Sequence, residues 1–337
     1  ANSVSSPNAP IVRDTEKRIY GVFAQASLWF YDTYFLEGSI RRDVSTALPK
    51  ANNTYYYPSV SASAVISNWS FLKGSALNFG KLRASYAVVG NDTDPNQLLN
   101  TYSPTTAFGT PTYLYNTTAK NPDLKPEMTK SLEVGANLQF FKNRIGIDAG
   151  YFQSDTKDQI LALPVSSATG NSFKFQNVGN MRSKGFEVAL NIVPIKTTDF
   201  NWGIDLNWSN PRSKVTELAS GVENITIGSF QGGVTVNASL NDDYGTIKGS
   251  DFIYDPNGNK IIGSNGKYLT TNTNTVIGNM QADWFGSVTN RVSYKDLSLS
   301  FQIDVRQGGE IFSLDQYYGQ ASGLYDDSVF INDLGNP

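Results

Sequence analysis

The side chains able to do chemistry in this sequence are carboxylates and phenols, because two common catalytic types are missing. There is no His and no Cys in 337 residues. That removes a Ser–His–Asp triad, an imidazole metal site, a thiolate metal or redox site and a disulfide scaffold. Asp148, Asp155 and Asp158 recur within one segment, and paired carboxylates beside a cleft are the apparatus of glycoside hydrolysis. Here they fall on one strand and its loop end, with no separate catalytic domain in view. The chain therefore reads as a non-enzyme, with no catalytic, cofactor-binding or metal residues. The phenols gather elsewhere: Tyr102, Phe108, Tyr113 and Tyr115 in segment 90–128, and Tyr317, Tyr318 and Tyr325 in segment 307–337. Aromatic faces stack on sugar rings and pack on peptides, and function concentrates in loops. These seven are candidate substrate or partner contacts; the alternative is that they pack loop on loop.

The elements that must carry these loops are strands. In Ser131–Phe140, Leu132, Val134, Ala136, Leu138 and Phe140 alternate with Ser131, Glu133, Gly135, Asn137 and Gln139. Leu297–Arg306 repeats the pattern, with Leu299 and Ile303 opposite Asp304 and Arg306. Lys81 and Arg83 oppose Leu82 and Ala84, while Glu187 and Asp205 mark polar faces in two further runs. Successive strand side chains face opposite sides, whereas a helical period would scatter these apolar residues around the axis. About ten strands are expected, near 18–30, 34–43, 56–66, 78–89, 129–140, 145–158, 184–193, 201–213, 283–294 and 297–307.

Short connections alternate with long ones. Turns at 31–33, 68–76, 142–143, 194–199 and 295–296 separate the longer segments 44–55, 90–128, 159–183 and 214–282. Aromatics flank the short turns, among them Trp29, Phe30, Tyr31, Tyr34, Phe35, Phe140, Phe141, Trp202 and Tyr294. Strands of 9–11 residues, loops long at one end only and an aromatic girdle describe an outer-membrane β-barrel. A soluble β-sandwich also alternates apolar and polar positions and stands as the alternative. In a barrel the apolar set faces lipid. The polar set, Lys81, Arg83, Glu133, Glu187, Asp205, Asp304 and Arg306, then faces the lumen, in water or against a polar plug. Charged residues are only 17% of the chain, the net charge is −3 and no basic run appears, so nucleic acid is excluded as a partner. Residues 1–12 lack a charged region followed by an apolar core, so no signal peptide is expected there.

Several segments then form an ordered set: RRDVST at Arg41–Thr46, LRASYAVVGN at Leu82–Asn91, NPDLKPE at Asn121–Glu127, NVGNMRSKGFE at Asn177–Glu187 and VIGN at Val276–Asn279. Their order and spacing resemble the SusC/RagA family of TonB-linked outer-membrane transporters of Bacteroidetes, from about Arg18 to Gly309. Three places depart from it. Val44 stands where Gly is frequent, and Met280–Ala282 where prolines are common. DPNGN at Asp255–Asn259 has too few carboxylates for a calcium loop and reads as a Gly-containing turn.

The resemblance implies an all-β, transmembrane antiparallel barrel of 22 strands with a plug and long extracellular loops. It implies import of glycans or peptides into the periplasm with energy passed through TonB. It also implies a SusD-like substrate-binding lipoprotein as partner and a dimer of transporter–lipoprotein pairs. Ten strands are too few for such a barrel. Residues 1–337 are thus expected to be the middle-to-late part of one barrel domain, with plug, TonB-contact region and closing strands outside this chain. A passive porin and a soluble carbohydrate-binding β-domain are the alternatives.

Overall fold

The computed structural model describes residues 14–107 and 110–329. β1 (Ile19–Phe30) and β2 (Tyr34–Ser45) form a hairpin, to which β3 (Thr54–Val65) and β4 (Leu77–Asn91) add in turn. The chain leaves this sheet for β5 (Tyr102–Ala107), β6 (Thr110–Tyr115) and β7 (Thr118–Ala119). It returns as β8 (Glu127–Phe140) and β9 (Ile145–Lys157), then leaves again through β10 (Ile160–Pro164) and β11 (Phe173–Asn177). β12 (Asn180–Lys196) and β13 (Phe200–Ser209) follow, and β14 (Arg212–Glu217) runs on past Pro211. A third excursion holds β15 (Asn224–Ser229), β16 (Thr235–Ser239), β17 (Thr246–Gly249) and β18 (Thr275–Asn279). β19 (Trp284–Tyr294) and β20 (Leu297–Gln307) complete the sheet, and α1 (Leu314–Ser322) comes after it.

The main sheet runs β1-β2-β3-β4-β8-β9-β12-β13-β19-β20, antiparallel throughout, and its two edges do not meet. These ten strands coincide with the ten expected from the alternation, within a few residues at each end. One differs in kind. The run expected at 201–213 stops at Ser209, because Pro211 has no N–H to donate to a ladder; β14 then pairs with the upper part of β12. The connection between β2 and β3 is also shorter than expected, only 46–53. The true excursions carry sheets of their own, β5-β6, β10-β11-β7 and β15-β16-β17-β18. The tight turns hold residues at positive φ, including Tyr31, Asp32, Lys142, Asn143 and Lys295, as hairpins matched to strand twist require.

Burial separates barrel wall from sandwich. A sandwich would cover one face of this sheet with another sheet. Here Leu132 is 45% exposed, Leu299 65% and Leu297 76%. Among the described residues the apolar core cluster, Leu48, Tyr55 and Leu124, lies in and beside the loops rather than behind the sheet. The wall has an outward apolar face that only lipid would cover.

Register places the aromatics at both ends of that face. Phe30, Tyr34, Phe140, Trp202 and Tyr294 flank the short turns on the outward side. Tyr86, Tyr151, Phe186 and Trp208 form an opposite, outer band that the alternation did not single out. Tyr151 and Phe186 are ring neighbours at 5.0 Å. Trp29 and Phe35 differ from their neighbours in the first turn. They oppose each other, and Phe35 lines up through Ser63 with Arg83, so both face inward. Asn290, polar on an otherwise apolar outward row, accepts the Trp202 indole N–H at 3.3 Å, which satisfies it where water is absent.

Candidate functional site

The inward face is built by register. A directly opposed row crosses the sheet through Arg83, Gly135, Gly150 and Glu187, then Ser209, Phe285 and Arg306. Gly135 matters here: a Cβ on it would stand 2.8 Å from the Arg83 guanidinium carbon. The missing side chain lets Arg83 lie across β8 and donate to both carboxylate oxygens of Asp148, at 2.6 and 3.2 Å. Asn137 donates to the same carboxylate at 2.8 Å. Such a two-pronged pair fixes geometry as well as charge.

Arg83, Glu187, Asp304 and Arg306 line a concavity of about 590 Å³ together with Asp148 and Phe285. Arg306 lies over the Phe285 ring and donates to the Met280 carbonyl at 2.9 Å. Gln302 donates to Asp304 at 2.7 Å. A second concavity, about 600 Å³, continues toward the short turns with Asp205, Arg291 and Asn191 in its wall. Asp205 accepts from Asn191 at 2.5 Å and pairs with Arg291. Glu133 shares a smaller hollow with Arg83. Lys81 sits on the same face, opposite Asn137. All seven inward residues expected from the alternation thus share one face. Asp148 and Arg291 complete two of the ion pairs; the sequence shows Asp148 as a carboxylate but not as an inward one, because Gly150 and Phe152 break the polar run on β9, and it does not single out Arg291.

The loop aromatics divide. Tyr102 and Tyr115 oppose each other on the β5-β6 hairpin with rings 5.5 Å apart, and Tyr113 is exposed beside them. Phe108 lies outside the described residues. Tyr317 belongs to a packed chain with Phe312 and Phe230, and a Cβ on Gly232 would touch its ring. Tyr325 lies against Gly319 of α1 and its hydroxyl reaches Asp315 at 3.3 Å. Tyr317 thus reaches the β15–β16 loop through Phe312 while its edge stays exposed, Tyr325 packs within its own segment, and Tyr318 is exposed.

The five ordered sequence segments prove to be clasps of the loop-side rim. Asn91 donates to one Glu127 oxygen at 3.2 Å, and the other accepts the Ile160 N–H at 2.7 Å. Asn177 closes a reciprocal pair with the Lys125 backbone, 2.8 Å each way. Ser45 donates to Asp92, which also pairs with Lys17. Asp43 accepts from Arg41 at 2.8 Å and from Tyr57. The Asn279 N–H donates to Glu310 at 2.6 Å. Gln281, at the departure from the expected prolines, holds the Ser213 N–H and the Ser213 and Tyr244 carbonyls at 2.7–2.8 Å. Beneath the clasps, burial pushes the Lys120 ammonium down, and it lies 5.2 Å from the Phe175 ring centre. The Asp255 turn forms as expected: its carboxylate accepts the Asn257 and Asn259 N–H groups at 2.8 Å, which holds it below the usual carboxylate range.

A wall of this construction has known counterparts. The family model described as "TonB dependent receptor-like, beta-barrel" matches residues 2–334. The chain belongs to that family. It is an outer-membrane β-barrel segment, from a family of TonB-dependent transporters rather than enzymes. Among curated relatives, TonB-dependent receptor P26 of Formosa agariphila is 28% identical over 331 residues, covering 88% of this chain and 32% of its own length. TonB-dependent receptor SusC of Bacteroides thetaiotaomicron is 25% identical, covering 94% of this chain and 34% of its own. The receptor segment therefore spans about a third of the length of the relatives it matches. Among solved structures, the RagAB peptide transporter superposes with a TM-score of 0.77 at 20% identity, over 90% of this chain and 35% of that one. This likeness is one of fold.

Proposed function

We propose that this receptor segment forms wall and outer loops of a larger, plugged barrel that imports glycans or peptides into the periplasm with TonB-derived energy. The observation that carries the reading is the two-faced sheet. Its outward face is apolar and uncovered, while its inward face concentrates Arg83, Asp148, Glu187, Asp205, Asp304 and Arg306 around continuous concavities. Among the described residues the edges at β1 and β20 are unpaired, which calls for further strands, since open edges are not tolerated in lipid. A lumen enclosed by many strands requires a plug, and the charged inward residues are its wall contacts. A SusD-like lipoprotein captures substrate at the loop side. Among the described residues, Tyr102, Tyr113 and Tyr115 on their hairpin, and Tyr317 and Tyr318 on α1, are exposed to meet substrate or that partner. Pairs of transporter and lipoprotein associate as dimers. The segment itself carries out no catalysis.

The test is uptake in cells that make the receptor as their sole importer of a labelled oligosaccharide or peptide mixture. Deleting TonB is expected to abolish uptake, and deleting the neighbouring lipoprotein to reduce it. Uptake that persists without TonB would identify a passive pore instead.

A further inference from the structure

Above the outer aromatic band, the outward face changes character. Register gives three successive rows. The lowest runs Val134, Tyr151, Phe186 and belongs to the lipid-facing band. The next runs Leu132, Gln153, Lys184, Arg212, and the one beyond it Lys130, Asp155, Arg182, Lys214. Lys184 directly opposes Arg212, and Arg182 directly opposes Lys214. Like charges directly opposed across a ladder destabilise it, and here two such pairs are stacked. Strand spacing and rise put the four cationic Cα atoms in a block of roughly 5 by 7 Å.

Acids in reach neutralise only its two arginines. Asp155 pairs with Arg182 at 2.6 Å and Asp283 pairs with Arg212. Asp243 opposes Lys214 through an isolated bridge without an ion pair. Lys130, Lys184 and Lys214 are exposed and make no ion pair among the described residues. Lys157 adds another exposed cation on the same side, one step further along β9. A chain of net charge −3 thus gathers six cations on an outward patch that adjoins the end of its apolar band.

We propose that this patch binds the phosphate of an anionic lipid headgroup in the outer leaflet. The block fits a phosphate group because clustered Lys and Arg supply charge-assisted donors to its several oxygens. The bound phosphate removes the repulsion between the opposed pairs. A lipid rather than a soluble anion is the occupant because the block continues the lipid-facing band. The Tyr151–Phe186 pair marks the interface on the next row down, and the long loops put this end outside.

The receptor, purified from outer membranes in mild detergent and stripped of lipid, tests this. The probes are lipid A carrying its phosphates, the same lipid dephosphorylated, and inorganic phosphate. The readouts are bound lipid by native mass spectrometry and the midpoint of the heat-induced gel shift. Phosphorylated lipid is expected to bind about tenfold or more tightly than the dephosphorylated form and to raise the midpoint. K184Q/K214Q is expected to lose that preference, K184R/K214R to keep it, and K50Q/K267Q, equal in charge change but distant, to leave it unaltered. Without lipid, K184Q/K214Q should melt no lower than the parent, since it relieves repulsion. Equal binding of the dephosphorylated lipid, an undiminished preference in K184Q/K214Q, or equal stabilisation by inorganic phosphate would each overturn the proposal. A K184Q/K214Q protein that fails to fold without lipid would overturn it as well, by giving these lysines a structural role.

Discussion

The wall and the rim of this molecule treat apolar side chains in opposite ways. Along the wall, Leu132, Leu299 and Ile303 stand uncovered on one face while charges crowd the other. At the rim, Leu124 is fully buried against Leu48 and Tyr55, as in a water-soluble protein. The wall therefore depends on lipid for its apolar burial, and the rim supplies its own. A membrane barrel with elaborate loops is thus two folding problems on one chain, and substitutions should separate them.

The largest effect is expected in the rim. Leu124→Ala leaves a cavity in the cluster and should cost about 2–5 kcal/mol of local stability. Limited proteolysis should cut segments 90–126 and 158–179 faster, while the gel shift that reports the intact barrel stays in place. If the barrel shift vanished with the loops, wall and rim would be one cooperative unit.

The wall comes next. Ala136→Arg puts a charge midway along the outward face, between the outer aromatic band and Phe140, and should cost about 2–4 kcal/mol, read as a lower heat-modification midpoint and less protein assembled in the outer membrane. Ser85→Arg, on the inward face opposite Glu133, should assemble normally. Equal damage from both would refute the assignment of faces.

A smaller effect tests what joins the two regions. Asn177→Ala removes the reciprocal clasp on Lys125 and the bond to the Asp158 carbonyl, leaving those backbone groups to find water. About 1–3 kcal/mol is expected, confined to the rim, and hydrogen exchange at Lys125 is the measurement.

How much of this was legible in the sequence follows from the same division. The wall obeys a period of two, so its strands and faces can be read from adjacent letters. Where reading failed, a local exception intervened: Pro211 ends a ladder, and Gly150 with Phe152 hides the polar character of the β9 inward face that Asp148 carries. The rim obeys no period. Many of its clasps join distant residues, as in Asn91 with Glu127, 36 positions apart, and Lys125 with Asn177, 52 apart. Each segment was visible as a pattern, but its partner was not, since the pairing depends on where the wall delivers the loop ends. Gly185 shows the join most directly. It sits in the KGFE stretch, and a Cβ there would meet the Asn210 carbonyl at 2.9 Å and the Pro211 Cα at 3.0 Å, backbone that local sequence does not announce.

The smallest effect lies furthest from the wall, at the Asp255 turn, and depends on pH. Hydrogen bonds to the carboxylate from Asn259, through its backbone and side-chain N–H groups, and from the Asn257 N–H hold its pKa below the unfolded value. A carboxyl with a depressed folded pKa contributes its stabilisation fully above the unfolded pKa, about 3.9, and loses it as pH falls through the folded pKa. The turn should therefore be unaffected by pH across the neutral range and loosen only in acid. Amide exchange at Asn257 and Asn259, corrected for the intrinsic rate, should lose protection below about pH 4. Leu124 is surrounded by apolar groups, so protection of its neighbours should not change over the same range. In Asp255→Asn the acid-dependent step should disappear, because the amide oxygen still accepts the N–H groups but no longer titrates. A step that survived the substitution would place the titrating group elsewhere in the loop and would detach the turn's stability from its carboxylate.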